Sequence, residues 1–239
     1  MNKDAGQTPR PLTCCVRAVV LLNGVYDLPA NFFKLNREYD SFDFFCADGG
    51  ANLAVKLGIV PQLVMGDMDS ISTQTRRRLE NLCQFIELPA DKNVSDTEAL
   101  LKMLDEQGYS NIHLFAATGG RLDQTMFNLQ LLCRFPQARI ITRDEEIIPL
   151  EKSNKINGKT GCRASLLAIS TVVTGLSLTG FSYNLHKRDI ESGSTLTLSN
   201  VIISDSAVVS YDQGSLLLIV ERLAPARDKT RRGLHLVKK

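Results

Sequence analysis

Four short acidic motifs constrain the fold of this chain more than any other feature, because each follows a short apolar run. They span residues 46–52, 66–70, 91–96 and 118–124, and amphipathic stretches follow them. Short apolar strands separated by helices indicate a mainly parallel sheet with helices on both faces. In such sheets, ligands bind outside the carboxyl ends of the strands. The order therefore predicts one composite site at one edge of a sheet.

The first half of the chain alternates between these two kinds of segment. Leu100, Leu101 and Leu104 give one helix a single apolar stripe. Strands are predicted at 16–22, 42–47, 63–65, 85–88, 112–116 and 138–142. Helices are predicted at 52–57, 73–81, 96–107 and 123–133.

The amino-acid composition changes after Pro149, where the chain becomes rich in Ser, Thr, Val, Leu and Gly. Strands at 164–168, 171–178, 195–198, 207–211 and 215–221 predict a small antiparallel β-sandwich. The predicted fold class is thus α/β, with a Rossmann-like domain of mainly parallel sheet and flanking helices at 14–149, a linker near 151–154 and a β-sandwich domain at 150–223. Residues 1–13 and 224–239 are predicted to be flexible termini.

Composition excludes several classes of protein. The chain of 239 residues is 44% hydrophobic, enough for a substantial core, and no apolar run reaches the length of a membrane span. The six cysteines lack zinc spacing, and Cys14-Cys15 is interpreted as apolar packing rather than redox chemistry. We therefore expect a soluble, cytoplasmic protein without a membrane partner.

The C-terminal residues 221–239 carry seven Lys and Arg against two acidic residues. Such a tail can touch nucleic acid or polyphosphate, but it has no interleaved aromatic residues for base stacking. A solvated extension is favoured, and no nucleic-acid partner is expected.

Asp67 and Asp69 follow a predicted strand at alternate positions, so their carboxylates point the same way. Carboxylates are suited to hold Mg²⁺ on substrate phosphates. A structural alternative is that Asp69 or Ser70 caps the helix that starts near Thr73.

Asp48, Gly49 and Gly50 form a strand-to-helix turn whose backbone N–H groups favour an anion. An ordinary tight turn capped by Asp48 is the alternative. The chain has neither a Walker A motif nor Gly-x-Gly-x-x-Gly, which disfavours P-loop and dinucleotide-binding folds.

Two further loops contain cationic side chains. Arg121 could bind a phosphate through its planar guanidinium group, with Asp123 and Gln124 orienting it. The alternative is that Asp123 caps the next helix. Lys92 and Asp96 flank the remaining loop, where Asp96 is also a candidate N-cap.

Taken together, these residues resemble the thiamine pyrophosphokinase family over residues 21–221. The family pattern runs Asn-Gly, Ala-Asp-Gly-Gly-Ala, Gly-Asp-X-Asp-Ser, a Lys-Asp-X-Thr-Asp-like stretch and Gly-Gly-Arg-X-Asp-Gln. The chain offers 23–24, 47–51, 66–70, 92–96 and 119–124 in that order. Residues 179–185 and 197–200 look like the family's thiamine-binding segments.

The resemblance implies a homodimer in which thiamine lies between the catalytic domain of one subunit and the β-domain of the other. It implies transfer of diphosphate from ATP to thiamine, giving thiamine diphosphate and AMP, with Mg²⁺ as cofactor. The implied catalytic residues are Asp67, Asp69, Asp96 and Arg121, the first three also binding metal. The implied binding residues are Asn23, Asp48, Gly49, Gly50, Lys92, Gly120, Asp123, Gln124, Ser199 and Asn200.

The chain departs from the family pattern in two places. Asn93 stands where relatives usually carry Asp, and Ser95 replaces Thr. Animal members place a Trp against thiamine in the last strand, but this chain has no Trp and has leucines at 216–218 there, which supply no π-face. The alternatives are a pyrophosphokinase or kinase for another small alcohol, a metal-dependent glycosyltransferase that uses Asp67 and Asp69, and a non-catalytic thiamine or nucleotide sensor.

Overall fold

A computed structural model describes residues 16–222. Cys14-Cys15 and the predicted flexible termini, 1–13 and 224–239, lie outside these residues, as does the basic C-terminal segment beyond Arg222. The described chain is a mixed α/β fold with one ten-stranded sheet and a separate four-stranded antiparallel sheet, which confirms the α/β class. Within 16–222 no helix has the length and apolar character needed to cross a membrane.

The first half alternates strands and helices as predicted, with ends that differ from the predicted ones by at most three residues. Its strands are β1 (Val16–Leu21), β2 (Asp43–Ala47), β3 (Leu63–Gly66), β4 (Gln84–Glu87), β5 (Tyr109–Phe115) and β6 (Ala138–Ile141). Its helices are α1 (Phe32–Leu35), α2 (Gly50–Leu57), α3 (Thr73–Leu79), α4 (Asp96–Glu106) and α5 (Leu122–Leu132), with a 3-10 helix at Arg37–Ser41. The sequence did not predict α1 or the 3-10 helix.

The second half is almost entirely β-structure. Its strands are β7 (Glu145–Leu150), β8 (Ser153–Asn157), β9 (Arg163–Ala168), β10 (Val172–Thr179), β11 (Leu185–Glu191), β12 (Asn200–Val201), β13 (Ser206–Ser210) and β14 (Leu216–Glu221). The sequence did not predict β7, β8, β11 or the short β12.

The large sheet has the strand order β12-β9-β14-β7-β6-β5-β1-β2-β3-β4. The pairs among β1 to β6 are parallel, whereas the pairs from β6 to β12 are antiparallel. The parallel half packs under α4, whose predicted stripe of Leu100, Leu101 and Leu104 is fully buried. The carboxyl ends of β5, β1, β2, β3 and β4 therefore lie along one edge.

The antiparallel half of the large sheet packs face to face on the small sheet, which has the order β11-β10-β13-β8. One buried cluster joins them, with Leu166 and Leu218 from the large sheet and Leu176 and Val209 from the small one. The large sheet thus contains strands from both halves of the chain. Only its antiparallel part packs against a second sheet, whereas helices cover the parallel part.

The predicted strand at 195–198 is wrong, because residues 196–199 form a turn. Thr197 is buried and its hydroxyl donates to the carbonyl of Leu166 (2.6 Å). Ser199 adopts a left-handed conformation, φ 54°, which extended pairing does not allow. Residues 195–198 alternate between Thr and Leu, but they do so in a turn that the buried Thr197 attaches to β9 and not in a strand.

His113 is a buried polar residue in the centre of β5. Its Nδ1 and Oη of Tyr39 are 3.1 Å apart and share a hydrogen bond. The ring also packs against Phe42 and Tyr39. This apolar surrounding favours the neutral imidazole.

We expect the free energy of unfolding to depend on His113 below neutral pH. Burial, with a smaller contribution from Arg139, lowers the pKa of His113 from 6.5 to about 4, while Glu146 opposes this shift. Between these pH values the unfolded chain binds a proton that the folded chain excludes. The stabilisation is therefore complete above pH 6.5 and is lost as the pH falls toward 4, by up to about 3 kcal/mol.

Denaturant unfolding between pH 4.5 and 7.5 measures this dependence, and the His113→Gln chain should show a shallower slope. His186→Gln on the exposed face of β11 is the matched control and should keep the wild-type slope. Identical slopes for wild type and His113→Gln would contradict the assignment.

Candidate active site

A cavity of about 510 Å³ lies at the carboxyl edge of the parallel strands. Residues from all four predicted motifs line it. They are Asp48, Asp67, Asp69, Ser70, Lys92, Ser95, Asp96, Gly119, Gly120, Arg121 and Gln124, together with Asn23 from the loop after β1. The structure therefore brings together most of the site residues predicted from the sequence.

The loops reach one another closely because glycines remove side chains between them. A Cβ at Gly66 would lie 2.7 Å from Cβ of Asp48, and a Cβ at Gly49 would lie 2.5 Å from Cγ of Asn23. Gly49 and Gly50 do not line the cavity themselves. Their role in the structure is to let the turn after β2 pack against the loop after β1.

Three carboxylates converge in the cavity. One ligand oxygen from each of Asp48, Asp67 and Asp96 lies within 4.8 Å of the other two, and a divalent cation is the natural ligand of such a set. Asp69 lines the same cavity, but Asp48, not Asp69, completes the tight cluster. The sequence placed Asp48 in a binding pocket and did not predict it as a metal ligand.

Asp48 is the one member of the three with a left-handed backbone, and its carboxylate is partly desolvated. Its φ is 41°, and its buried Oδ1 has no hydrogen-bond partner among residues 16–222. Burial raises the pKa of Asp48, as do the charges of Asp67 and Asp69, while hydrogen bonds from Ser70 and Gly49 act in the opposite direction. An unpartnered buried carboxylate oxygen fits a cation better than it fits an empty pocket.

Helix capping does not occupy these carboxylates. The cap of α3 is Ser72, whose Oγ accepts from N–H of Thr75 (3.1 Å), and the cap of α4 is Ser95, whose Oγ accepts from N–H of Glu98 (3.1 Å). The alternatives that assigned these caps to Asp69, Ser70 or Asp96 are therefore wrong.

The two remaining capping alternatives are also wrong. Gly49 and Arg121 occupy the cap positions of α2 and α5, and neither helix has a side-chain cap. Asp48 and Asp123 thus lie outside those cap positions.

Two cations face the carboxylates. Lys92 Nζ lies 2.8 Å from Oδ1 of Asp96 and donates to the carbonyl of Pro89. Arg121 is largely exposed and forms a two-pronged pair with Asp123, whose pKa this hydrogen bonding lowers. Asp123 itself does not line the cavity, so it positions the guanidinium from outside.

Two asparagines were missed by the sequence analysis. Asn52 donates from Nδ2 to the carbonyl of Ser70 (2.8 Å) and accepts at Oδ1 from N–H of Ser72 (3.0 Å), so α2 holds the loop after β3. Asn128 lines the cavity and donates to the carbonyl of Ala117 (2.8 Å). Its spacing of four from Gln124 places both on one face of α5, a signal that was available in the sequence.

Ser199 and Asn200 do not line the cavity. Asn200 opens β12, at the edge of the large sheet opposite β4. Six strand spacings separate β12 from β1, which is roughly 30 Å across the sheet. Within this chain these two residues and the carboxylate cluster therefore lie in different regions.

Comparison with known proteins agrees with this geometry. The family described as thiamin pyrophosphokinase, catalytic domain, matches residues 40–142, and that described as thiamin pyrophosphokinase, vitamin B1 binding domain, matches residues 147–216. The thiamine pyrophosphokinase of Bacillus subtilis (strain 168) is 31% identical over 179 residues, covering 72% of this chain and 84% of that protein.

Solved structures give the same result. The crystal structure of thiamin pyrophosphokinase from Geobacillus thermodenitrificans is 28% identical, with a TM-score of 0.75 over 87% of this chain and 99% of that one. The thiamine pyrophosphokinase structure from Bacillus subtilis is 26% identical, with a TM-score of 0.73 over 85% and 98% of the two chains. The order of the motifs, their convergence on one cavity and these similarities establish that the chain belongs to the thiamine pyrophosphokinase family.

Proposed function

We propose that this chain is an enzyme that transfers the β,γ-diphosphate of ATP to the hydroxyl of thiamine, giving thiamine diphosphate and AMP. The observation that carries the proposal is the convergence of Asp48, Asp67 and Asp96 in a cavity shared with Lys92 and Arg121. Clustered carboxylates beside cations are suited to a metal-bound polyphosphate.

Mg²⁺ fits this site, because the buried Oδ1 of Asp48 has no partner among the described residues and the three carboxylates lie close together. Asp48, Asp67 and Asp96 would hold the ion, with Asp69 in the same cavity. When bound, Mg²⁺ neutralises charge on the phosphates of ATP.

The cationic side chains position the phosphates. Lys92 is half-buried beside Asp96 and supplies a point charge, while Arg121 supplies a planar fork. The two-pronged geometry that Arg121 now presents to Asp123 is the one that it needs for a phosphate. Asp123 therefore keeps the fork oriented until the substrate arrives.

The transfer itself is an in-line displacement dominated by positioning. The hydroxyl oxygen of thiamine forms a bond to the β-phosphorus, and the bond from that phosphorus to the oxygen bridging the α-phosphate breaks, so AMP leaves. Asp96 accepts the proton of the hydroxyl. Ser95, rather than Asp96, caps α4, so the Asp96 carboxylate faces Lys92 and the carboxylate cluster instead of the end of the helix.

The two predicted domains bind different substrates. In this proposal residues 14–149 form the Rossmann-like unit that binds ATP, and residues 150–223 form the β-sandwich that binds thiamine. Ser199 and Asn200 lie roughly 30 Å across the sheet from β1. This separation supports a homodimer in which the turn that carries them faces the cavity of the partner subunit. A cytoplasmic location is consistent with the free thiols of Cys46, Cys83, Cys133 and Cys162.

The reaction predicts AMP release that requires both ATP and thiamine. Asp67→Asn should lower kcat about a hundredfold or more, since the site loses one of the carboxylates that would hold the ion on the phosphates. Coupled AMP detection with Mg²⁺ measures this. Asp91→Asn, an exposed carboxylate outside the cavity, is the matched control and should retain wild-type activity.

Wild-type protein that releases no AMP on addition of thiamine would contradict the proposed function. AMP release with a different small alcohol in place of thiamine would redirect it to another acceptor. Thiamine binding without turnover would identify a sensor.

The hydrogen bonds from Asn52 to Ser70 and Ser72 hold the loop that carries Asp67 and Asp69. We therefore expect Asn52 to affect the Mg²⁺ concentration that the enzyme needs. Asn52→Ala removes both hydrogen bonds and should raise the Mg²⁺ concentration for half-maximal activity about tenfold, with a smaller change in kcat at saturating Mg²⁺. Lys56→Ala, one turn later on the exposed face of α2, should leave the Mg²⁺ dependence unchanged. An unaltered Mg²⁺ dependence in Asn52→Ala would show that the loop holds its position without the bridge.

Asn93 is expected to matter little for metal binding. It is exposed and does not line the cavity, so restoring the family's aspartate changes a charge outside the carboxylate cluster. Asn93→Asp should shift the Mg²⁺ dependence less than threefold, within the range of a screened surface charge. A shift of tenfold or more would place residue 93 in the metal site.

A further inference from the structure

We propose that Asn128 is a positioning residue that holds the loop at 116–121 in the shape that binds the diphosphate of ATP through backbone N–H groups. The inference rests on the proposed function and gives a role to a residue outside the four acidic motifs. Asn128 lies on α5, is 5% exposed and lines the cavity.

The loop at 116–121 is bonded to the loop that follows β1. The N–H of Gly24 donates to the carbonyl of Ala116 (2.8 Å). The N–H of Val25 donates to the carbonyl of Thr118 (2.8 Å). The loop after β1 thus holds the carbonyls on either side of residue 117.

Asn128 supplies the donor for the carbonyl between those two. Ala117 is buried, and Nδ2 of Asn128 donates to its carbonyl at 2.8 Å. A buried carbonyl without a donor is unfavourable. Loss of the amide should therefore shift the loop away from the position that it occupies against α5.

The conformation of the loop needs this restraint. Ala116 has φ 53°, and the two glycines that follow, Gly119 and Gly120, have φ 76° and 65°. Glycine adopts such angles readily, whereas a left-handed alanine persists only where its surroundings hold it. The shape of the loop thus depends on the bonds that its carbonyls accept.

The N–H groups of the same loop are left for a ligand. Among residues 16–222, the N–H groups of residues 118–121 donate to no other residue, and α5, which begins next, has no side-chain cap. Gly119, Gly120 and Arg121 line the cavity. Unpaired N–H groups at left-handed turns and at helix N-termini bind anions, so a phosphate group is the ligand that suits them.

The amide of Asn128 meets this need at a cost to itself. Its Oδ1 is buried and has no hydrogen-bond partner within residues 16–222. Turning the amide over would bring Oδ1 against the carbonyl of Ala117, and two acceptors cannot bond. An apolar side chain would remove the unpartnered oxygen, so the asparagine is better explained by its bond to the loop than by core packing.

Calorimetry with inorganic diphosphate and Mg²⁺ tests the inference on the full-length protein. Asn128→Leu keeps a side chain of similar size and removes the donor. It should weaken diphosphate binding about tenfold or more and raise KM for ATP to a similar degree, with KM for thiamine within about twofold of wild type. Gln130→Leu, the same change at an exposed position of α5, is the matched control and should behave as wild type.

Circular dichroism at the assay temperature shows which variants are folded, and Asn128→Ala replaces Asn128→Leu if the leucine does not fit. A folded variant that binds diphosphate as wild type does would overturn the inference, because the amide would then serve only the stability of the fold. Failure of both variants to fold would overturn it for the same reason, as would equal losses in KM for ATP and for thiamine. Wild type that binds diphosphate but releases no AMP with thiamine would contradict the proposed function alone, since the calorimetric comparison still decides the role of Asn128.

Discussion

The close packing of loops at the carboxyl ends of β1, β2 and β3 is the constraint on which the rest of the site depends. Gly24 donates from its N–H to the carbonyl of Ala116 (2.8 Å), and Asp48 donates from its N–H to the carbonyl of Met65 (2.8 Å). A Cβ at Gly66 would collide with Asp48. Because backbone meets backbone here, the positions of the carboxylates are set by the sheet rather than by mobile side chains.

This rigidity has an energetic cost that is concentrated around the cavity. Asp48, Met68 and Ala116 all have positive φ, and each such residue costs on the order of 1–3 kcal/mol. Three carboxylates held within 4.8 Å of one another add mutual repulsion. A bound cation reverses the sign of that electrostatic energy, so the strain stored in the loops is offset when the ion and its phosphates are present.

The sequence predicted the α/β class and the parallel core well because those depend on local periodicity. The sequence did not predict β7, because Pro149 interrupts the strand pattern. Strand β6 pairs with β7 only at Glu146 and Ile147. Pro149 therefore lies in the part of β7 that has no β6 residue beside it. The sequence also failed at β11, whose exposed edge shows little alternation. It also offered Asp69, Ser70 and Asp96 as alternative helix caps, because Asp and Ser are good caps in isolation, as are Ser72 and Ser95. Only tertiary structure shows that the serines cap and the carboxylates point elsewhere.

The same limit explains which site residues the sequence could reveal. Asp67 and Lys92 belong to recognisable motifs, but the bridge from Asn52 joins helix α2 to a loop residue eighteen positions further along the chain, and no local pattern encodes it. Asn200 presents the converse case, because its motif predicts a ligand contact while its buried amide serves the backbone of Tyr183. A polar side chain in a binding motif therefore has to be checked for remaining hydrogen-bond capacity before it is assigned to the ligand. Applied to this chain, that check removes Asn200 from the direct ligand contacts, because its buried amide already bonds to the backbone of Tyr183 and Val201.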